Sequence, residues 1–518
     1  MKRIARMTAV PVHPVLVAAY PVIYLFAANV AGQVTLDPLW VPLGISLAIG
    51  VAALVVGSAL TRDVRRGALL ATLALALFFS FGHVWNLTAA VFMERGWLLL
   101  IYGAIGTLAA VVIWRGGRWA ADATRFVNVL AAAALAFNLV GIGTFALGMG
   151  TRTAAASAAI EVDPDGIDRR DIYYLIFDRF AGGPTLDQIF RYDADPFLDD
   201  LRERGFYVAE DSWANYLKTP LSLISSLDME YLDATPFRAA ATKPGDYAPM
   251  YAALRERRTV PATLKTLGYE YLHISSFFEP SATNVDADRT LRFEDGAEFS
   301  SALWATTLLS MLGPGDLAVN GGDPPLNPLI QREHTLYQFD AIPAAARRPG
   351  PTFVFAHFMV PHPPYVFEVD GSMPSEQEQA SRSLDEQYLE QVAWTSDRII
   401  ELIDTLLAGP VEEEPVIIIQ ADEGPFPDAY RVDQLNFRWD RATPAELQRK
   451  MGILNAYRLP GVDPEAAGLS QDISPVNSFR VVFNAYFGAD LPLLEDRVFI
   501  FDQETDLYTL HEISRPTR

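Results

Sequence analysis

The hydrophobic positions of the chain form two patterns that meet near residue 150. Before that point, apolar residues make five long runs with few charges, at roughly 14–32, 39–60, 68–84, 97–114 and 126–149. Each run is close to the about 20 residues with which an α-helix crosses the hydrocarbon core of a membrane. We therefore predict that residues 1–150 form an α-helical transmembrane bundle of five helices.

After residue 170 the apolar runs become short and rich in β-branched residues, and stretches of helical periodicity separate them. Strands are predicted at 171–177, 206–209, 269–274, 352–358, from 415, at 453–457 and at 497–501. Helices are predicted at about 186–204, from 220, at 260–267, near 303 and 329, at 376–407 and at 475–488. Such alternation is typical of an αβα sandwich with a mostly parallel sheet. Residues 151–170 are small, polar and aperiodic, which indicates a linker before a domain at 171–518.

Basic residues mark one side of the predicted bundle. They lie before the first span, after the second span, and between the fourth and fifth spans: Lys2, Arg3, Arg6, Arg62, Arg65, Arg66, Arg115, Arg118 and Arg125. The opposite loops carry a single arginine, Arg95. Because cytoplasmic loops are enriched in Lys and Arg, we predict a multi-pass protein of the cell membrane with a cytoplasmic N-terminus. The domain after residue 149 would then be extracytoplasmic.

No string of acidic side chains lies inside the predicted spans. Intramembrane charge usually marks a transport function, so the spans offer no ion or proton pathway. A plain membrane anchor is therefore favoured, and recruitment of a lipid substrate stays open as the alternative.

The two parts of the chain differ in charge. Residues 1–150 hold 10 Lys and Arg against 4 Asp and Glu, whereas the rest holds 31 against 59, a net charge of −28. So acidic a domain repels nucleic acid, and an anionic substrate would have to meet a local positive charge, most simply a metal ion. The absence of cysteine excludes disulfides, thiolate metal sites and a cysteine nucleophile.

Carboxylates follow two of the predicted strands. The apolar run that begins at Pro415 contains three consecutive isoleucines and leads into Asp422 and Glu423, and the first strand leads into Asp178. Open α/β sheets bind ligands at the carboxyl ends of their strands, and adjacent carboxylates there are suited to hold a cation. A solvated acidic turn is the alternative, since Asp and Gly favour turns in any case.

Two further groups of polar residues lie at the ends of predicted elements. Lys218 and Thr219 precede a helix predicted to start at Pro220, so Thr219 would be its N-cap residue. Backbone N–H groups and the helix dipole favour an anion there, which suits a nucleophile, although an ordinary cap explains the residue equally well. His357 and His362 lie at the end of the fourth predicted strand, where they could serve chemistry or cap the loop.

The order of these motifs resembles one enzyme superfamily. A strand followed by Asp, a Thr just before a helix, two His separated by four residues and a second strand followed by Asp are arranged as in the alkaline phosphatase superfamily, in its sulfatase-like branch. The layout is similar to that of the membrane-anchored lipoteichoic acid synthases and phosphoethanolamine transferases, which also carry N-terminal spans and an extracellular catalytic domain. The resemblance covers roughly residues 171–490 and implies an alkaline phosphatase-like α/β fold.

The resemblance also implies roles for individual residues. Asp178 and Asp422 would bind one divalent metal ion, and Thr219 would be both a ligand and the nucleophile. His362 and His357 would contact the substrate or the leaving group. Independently of the resemblance, the basic side chain of Lys218 could bind a phosphate, although basic residues are also common on protein surfaces.

The chain departs from the family pattern in two places. Where the family usually has Asp-His-Gly, this chain has Asp422, Glu423 and Gly424. With Glu423 as a further oxygen ligand, Mn, Mg or Ca would be preferred over Zn. The sulfatase signature Cys-x-Pro-Ser-Arg is absent, which argues against sulfate-ester hydrolysis.

These residues together favour an enzyme. We expect a membrane-anchored, metal-dependent phosphotransferase or phosphodiesterase that acts outside the membrane, on a lipid head group or a cell-envelope glycopolymer, through Thr219. A non-catalytic envelope-binding module of the same fold is one alternative, since fold alone does not settle function. A sulfatase-like ester hydrolase is the other. The donor, the acceptor and the oligomeric state stay open.

Overall fold

A computed structural model gives the structure of the chain. It describes residues 10–28, 37–88, 95–117, 119–149, 159–160, 162, 169–293, 300, 303–304, 306–311, 328–345, 349–410 and 413–515. Contacts divide the chain into two compact units, one of residues 1–154 and 294–325 and one of residues 155–293 and 326–518. The segment 294–325, which the sequence analysis placed in the C-terminal domain, therefore groups with the N-terminal helices.

Long apolar helices build the first unit. They are α1 (His13–Ala28), α2 (Asp37–Thr61), α3 (Val64–Thr88), α4 (Arg95–Trp114) and α5 (Trp119–Met149). Within the described residues, four helices, α2 to α5, are long and apolar enough to cross a membrane, and α1 has a shorter apolar stretch. The end of the first predicted span, residues 29–32, lies outside the described residues. The predicted α-helical N-terminal part is confirmed.

The inserted segment 294–325 contributes to the interior of the first unit. Leu303 is fully buried in a cluster with Val22, Ile23, Phe26 and Leu39. The backbone N–H of Gly82, near the C-terminal end of α3, donates to the carbonyl oxygen of Thr306 in the segment at 2.8 Å. Leu303, around which the sequence predicts an amphipathic helix, thus packs against apolar residues of α1 and α2.

The second unit alternates strands with helices. Its strands are β1 (Ile172–Phe177), β2 (Tyr207–Val208), β3 (Glu270–Ile274), β4 (Arg289–Leu291), β5 (Thr352–Phe358), β6 (Val416–Gln420), β7 (Asn455–Arg458), β8 (Val498–Phe501) and β9 (Leu510–Ile513). Its helices are α6 (Gly183–Phe190), α7 (Asp195–Glu203), α8 (Thr219–Asp228), α9 (Thr235–Ala240), α10 (Ala248–Leu254), α11 (Thr259–Thr266), α12 (Pro328–Ala345), α13 (Glu376–Ser381), α14 (Leu384–Leu406), α15 (Asp428–Val432), α16 (Pro444–Met451) and α17 (Ser478–Phe487).

The main sheet is mostly parallel, as predicted. Its strand order is β2-β7-β6-β1-β5-β3-β4, with β7 antiparallel to β6 and β2 antiparallel to β7. β1 is central and pairs in parallel with both β5 and β6. A separate antiparallel ribbon joins β8 to β9, a strand that the sequence analysis did not predict.

The central strand is buried on both faces, which explains its unbroken apolar sequence. Tyr173, Leu175 and Phe177 enter a core that also contains apolar residues of α14. The alternate residues of β1 enter a second core with residues of α11 and α17. The second unit is therefore a three-layer α/β/α arrangement, and the predicted fold class is confirmed.

Two helices predicted as continuous are each divided in two. The helix predicted at 186–204 is broken where Arg191 adopts a left-handed backbone with φ of 57° and ends α6. The helix predicted at 376–407 is broken before Ser383, which begins α14 with a capping box that includes Glu386. A Ser whose hydroxyl satisfies the N–H groups of a new helix start is a local signal that the apolar periodicity does not show.

Candidate active site

Three side chains meet at the carboxyl edge of the central strands. Asp178 directly follows β1, and Asp422 follows β6 by two residues. His357 lies in β5, at the position paired with Ile176 of β1. One ligand atom from each of Asp178, His357 and Asp422 lies within 4.8 Å of the others, and all three residues are buried. The strand-end placement of the two aspartates predicted from the sequence is thus observed, and His357 joins them from β5, on the other side of β1 from β6.

Several polar atoms of this cluster have no hydrogen-bond partner among the described residues. They are Oδ1 of Asp178, both carboxylate oxygens of Asp422 and Nε2 of His357. Burying such groups without partners costs free energy, and buried carboxylates are normally paired or bound to a metal. The donor set of two carboxylates and an imidazole fits a divalent cation.

Hydrogen bonds fix the orientation of the His357 ring. Its Nδ1 lies 2.7 Å from Oγ of Ser281, and that hydroxyl in turn donates to the carbonyl oxygen of Phe278 at 3.2 Å. The other ring nitrogen, Nε2, lies 3.5 Å from Oδ2 of Asp178, so the imidazole presents it to the carboxylate cluster.

The two aspartates differ in ease of ionisation. Burial and the neighbouring carboxylates of Asp178 and Glu423 raise the pKa of Asp422 to about 7. Burial also opposes ionisation of Asp178, but His362, His357 and Arg179 hold the pKa of Asp178 well below its usual range. Asp178 is therefore ionised at neutral pH, while Asp422 needs further positive charge to be fully ionised.

Thr219 is buried at the start of α8, and its side chain lies close enough to Asp422 to favour the ionised carboxylate. The helix begins one residue earlier than predicted, because Thr219 already has helical backbone and Lys218 takes the N-cap position without a side-chain cap. The prediction that Thr219 is the N-cap residue is therefore wrong by one position. The hydroxyl still lies in the first turn, where free N–H groups favour an anion.

The serines that follow Thr219 are already engaged. Ser226 donates to the carbonyl oxygen of Ser222 at 3.0 Å, and Ser225 donates to that of Glu230 at 2.7 Å. Ser222 donates to the carbonyl oxygen of Tyr216 at 3.2 Å. Such bonds to backbone acceptors leave the serines less suited than Thr219 to attack a substrate.

Glu423 faces two cations. Its Oε1 lies 2.6 Å from Nζ of Lys450 and 3.2 Å from Nε of Arg179. Glu423 is not in the compact cluster of Asp178, His357 and Asp422, and its second oxygen has no partner among the described residues. Burial lowers the pKa of Lys450 to about 8 in spite of the Glu423 carboxylate.

Arg179 is held tightly beside the cluster. It adopts a left-handed backbone with φ of 63°, which is uncommon for a non-glycine residue. Its carbonyl oxygen accepts a hydrogen bond from the Tyr388 hydroxyl at 2.9 Å, and its guanidinium lies 3.8 Å from the ring centre of Phe426. Strained backbone of this kind persists where the surroundings fix it, often at functional sites.

Lys218 and His362, the other two residues predicted to contact the substrate, both have partners within the protein. Nζ of Lys218 lies 2.9 Å from Oε1 of Glu504 and donates to the Tyr430 hydroxyl at 2.9 Å. Burial opposes its charge, but Glu504, Tyr430 and Glu423 raise the pKa of Lys218 above its ordinary value.

His362 contacts the carbonyl oxygen of Pro363, and burial and Arg179 lower the pKa of His362 to about 3. His362 is therefore neutral at physiological pH.

No protein-family model matches the sequence, and no curated protein matches it. Among solved structures, the chain is similar to lipooligosaccharide phosphoethanolamine transferase A from Neisseria meningitidis, at 13% identity over 92% of this chain and 95% of that one, with a TM-score of 0.40. The C-terminal periplasmic domain of EcEptC from Escherichia coli aligns at 13% identity with 70% of this chain and 96% of that one, at a TM-score of 0.41. Lipoteichoic acid synthase LtaP from Listeria monocytogenes aligns at 14% identity with 63% and 75%, at 0.37.

These structures include both groups of protein that the order of the motifs resembles. Because the identities do not exceed 14% and the TM-scores do not exceed 0.41, the case for a function depends on this chain's own residues.

Sequence reasoning missed Lys450, Glu504 and Ser281. None belongs to a motif, and each comes from a different part of the chain than the residue it contacts. Glu504, for example, pairs with Lys218, which lies 286 positions earlier in the sequence. A faint signal existed for Lys450, which follows two polar residues at the end of an amphipathic helix and precedes a strand, but that pattern is common on protein surfaces.

Proposed function

We propose that the protein is a membrane-anchored, metal-dependent phosphotransferase or phosphodiesterase with Thr219 as its nucleophile. One observation carries the proposal: a buried set of unpartnered ligand atoms lies beside a hydroxyl in the first turn of a helix. The carboxylates and imidazole account for a cation, and the helix start accounts for an anion.

We assign the protein ligands of the ion to Asp178, Asp422 and His357. Thr219 is near enough to Asp422 to complete the set. Glu423 is left out of it, because its carboxylate is already the counter-ion of Lys450 and Arg179. An imidazole ligand suits zinc or manganese, so the preference for Mn, Mg or Ca drawn from an oxygen-only set no longer follows.

The balance of charge favours a phosphodiester. The site and its surroundings contain three cationic side chains, Arg179, Lys218 and Lys450, and four anionic ones, Asp178, Asp422, Glu423 and Glu504. A divalent ion changes the net charge from −1 to +1. A phosphodiester carries one negative charge and would leave the site neutral, whereas a phosphate monoester dianion would leave it negative.

The ion, when bound, would neutralise the phosphoryl oxygens. The Thr219 oxygen attacks phosphorus while we assign Asp422 to accept the Thr219 proton; the bond from phosphorus to the leaving oxygen breaks, and the proton passes to that oxygen. We assign Arg179, whose guanidinium lies against Phe426, to binding a non-bridging oxygen. An alcohol or water then attacks the phosphothreonine ester, the bond from phosphorus to the Thr219 oxygen breaks, and the proton of the attacking group restores the Thr219 hydroxyl.

The long apolar helices of the N-terminal unit support a location at a membrane, so we propose a lipid head group or an envelope polymer as the substrate. The positive charges at one set of helix ends support an extracytoplasmic second unit.

Substitution of the proposed nucleophile tests this function. With bis(4-nitrophenyl) phosphate as a probe and manganese or zinc supplied, Thr219→Ala should lower turnover by roughly 10³-fold or more, on the scale of nucleophile deletions elsewhere. Mass spectrometry of the quenched wild-type reaction should find the phosphoryl adduct on Thr219. Thr219→Ser, which keeps a hydroxyl, is the matched control and should retain activity. An adduct on Ser222, or full activity in Thr219→Ala, would overturn the assignment.

A further inference from the structure

Lys218 directly precedes Thr219, and its ammonium group is enclosed. Besides Glu504 and the Tyr430 hydroxyl, four aromatic rings surround Nζ, with ring centres 5.4–5.8 Å away: Tyr247, Phe426, Tyr430 and Phe501. The side chain is 10% exposed. Two of its three donors have partners within the protein and aromatic rings enclose the group, so it is poorly placed to bind a substrate phosphate.

The partners of Lys218 are joined to one another. The Tyr430 hydroxyl donates to Oε1 of Glu504 at 2.6 Å, and the Tyr247 hydroxyl donates to Oε2 of the same carboxylate. Lys218, Tyr247, Tyr430 and Glu504 thus form one buried network, which we term the Lys218 clamp. Each member comes from a different segment: the start of α8, the start of α10, α15 and the loop after β8.

Backbone contacts bring three of these segments together, namely the residues before α8, the residues before α10 and the chain from β8 to Glu504. The N–H of Phe499 in β8 donates to the carbonyl oxygen of Asn215 at 2.8 Å, three residues before Lys218. An added Cβ at Gly245 would lie 2.7 Å from the carbonyl oxygen of Glu504, so the loop after β8 lies directly against the segment before α10. The backbone contacts of the chain after β8 therefore position Glu504 next to Lys218.

The clamp connects the two halves of the candidate site. Lys218 is bonded through its own backbone to Thr219, and Tyr430 lies in the short helix after the turn that carries Asp422. We propose that the Lys218 clamp positions the Thr219 hydroxyl relative to Asp422, and that Lys218 and Glu504 are positioning residues. This inference deepens the proposed function and rests on it for the role of Thr219.

The chain has no cysteine, which allows a test that does not depend on catalysis. Thr219→Cys places a single thiol at the site, and its alkylation by iodoacetamide can be followed in the full-length protein in detergent, with chelator present. The rate is taken at the pH plateau where the thiol is fully ionised, so that it reports access and mobility at position 219.

Adding Lys218→Met to this background should raise the plateau alkylation rate at least fivefold. Glu504→Gln, which removes the charge but keeps the shape of the side chain and one acceptor oxygen, should raise it by a smaller factor, and it carries the test if Lys218→Met does not fold. Arg258→Met is the matched control. Arg258 is the N-cap residue of α11 and makes a buried ion pair with Asp228, at the opposite end of α8 from Thr219.

Arg258→Met should leave the alkylation rate within twofold. An unchanged or slower rate in both clamp variants, or an equal increase in Arg258→Met, would overturn the proposal.

In the enzyme with Thr219 intact, Lys218→Met should lower kcat at least tenfold with KM within threefold, while Arg258→Met keeps kcat. A KM increase at constant kcat would instead make Lys218 a substrate-binding residue and overturn the positioning role. If Thr219→Ala proves fully active, the proposed function fails, while the alkylation rates still decide whether the clamp holds position 219.

Discussion

Glu423 can be a metal ligand or the counter-ion of buried cations, and the two roles have opposite consequences. Its side chain is 3% exposed, and that of Lys450 is fully buried. As a counter-ion, Glu423 stabilises the fold, and its loss should barely change metal affinity. As a ligand, its loss should weaken metal binding as strongly as the loss of Asp178 or Asp422.

The size of the effect follows from what each substitution leaves behind. Removing one partner of a buried ion pair typically costs about 3–5 kcal/mol, because the other charge stays buried and unpaired. Lys450→Met leaves Glu423 with Arg179 at 3.2 Å, so we expect the lower end of that range. Glu423→Gln leaves Lys450 without an anion and leaves Arg179 with only the more distant Asp178, at 3.8 Å, so we expect the upper end.

Thermal unfolding of the full-length protein in detergent gives the stability arm of the assay. Since 1 kcal/mol shifts the Tm of domains of about 150–250 residues by roughly 2–4 °C, we expect Glu423→Gln to lower Tm by on the order of 10 °C. Lys450→Met should lower it less, and the double variant should lower it by less than the sum of both.

Calorimetric titration with manganese and zinc gives the second arm. Glu423→Gln should bind either ion within about threefold of wild type, whereas loss of a ligand's orienting partner alone already costs about 10–100-fold. Glu423→His should leave the preference between the two ions unchanged. A large loss of affinity in Glu423→Gln with an unchanged Tm, or a shift toward zinc in Glu423→His, would refute the counter-ion role.

Three further predictions concern pH, ligation and topology. In metal-free protein, the stability contributed by Asp422 should be complete below its ordinary pKa of 3.8 and lost as pH rises through about 7, because the folded state keeps the proton more firmly than the unfolded chain. Metal affinity should rise over the same range and level off above it, and titrations at several pH values should show this rise in wild type but not in Asp422→Asn. His357→Gln should lower metal affinity at least 100-fold by titration, and an affinity equal to that of wild type would exclude the imidazole as a ligand. Of single cysteines at Val64 and Ile160, a membrane-impermeant reagent should label only the one at position 160 in intact cells, and labelling at position 64 would reverse the proposed orientation.

The sequence alone could predict the strands and the edge at which the site lies. β5 was predicted at its observed bounds, β1 within one residue, and β6 with its start within one residue, because a strand buried on both faces has an unbroken β-branched and aromatic sequence. Once the central strands were known to be parallel, the residues that follow them had to meet at one edge. The side chains of Asp178 and Asp422 could therefore be placed together before any coordinates existed.

The division of roles within the site could not be predicted in this way. Whether His357 or Glu423 faces Asp178 depends on which side chains approach from distant segments, namely Ser281 beside His357 and Lys450 beside Glu423. These contacts are set by tertiary packing, and a single sequence contains no local pattern that reports them. The same holds for the insertion at 294–325, whose apolar residues have the same periodicity whether they cover a sheet or a membrane helix.

That insertion also constrains the order in which the protein can be assembled. Within the described chain, the strand pair formed entirely by residues before 294 is β3 with β4, while both partners of β1 follow the insertion. During synthesis, the central strand must therefore wait until the chain has passed through the segment containing Leu303 and returned to the second unit. The N-terminal helices and the segment that contains Leu303 are therefore synthesised before the sheet can close, so the first unit can be complete while the second unit still lacks the partners of its central strand.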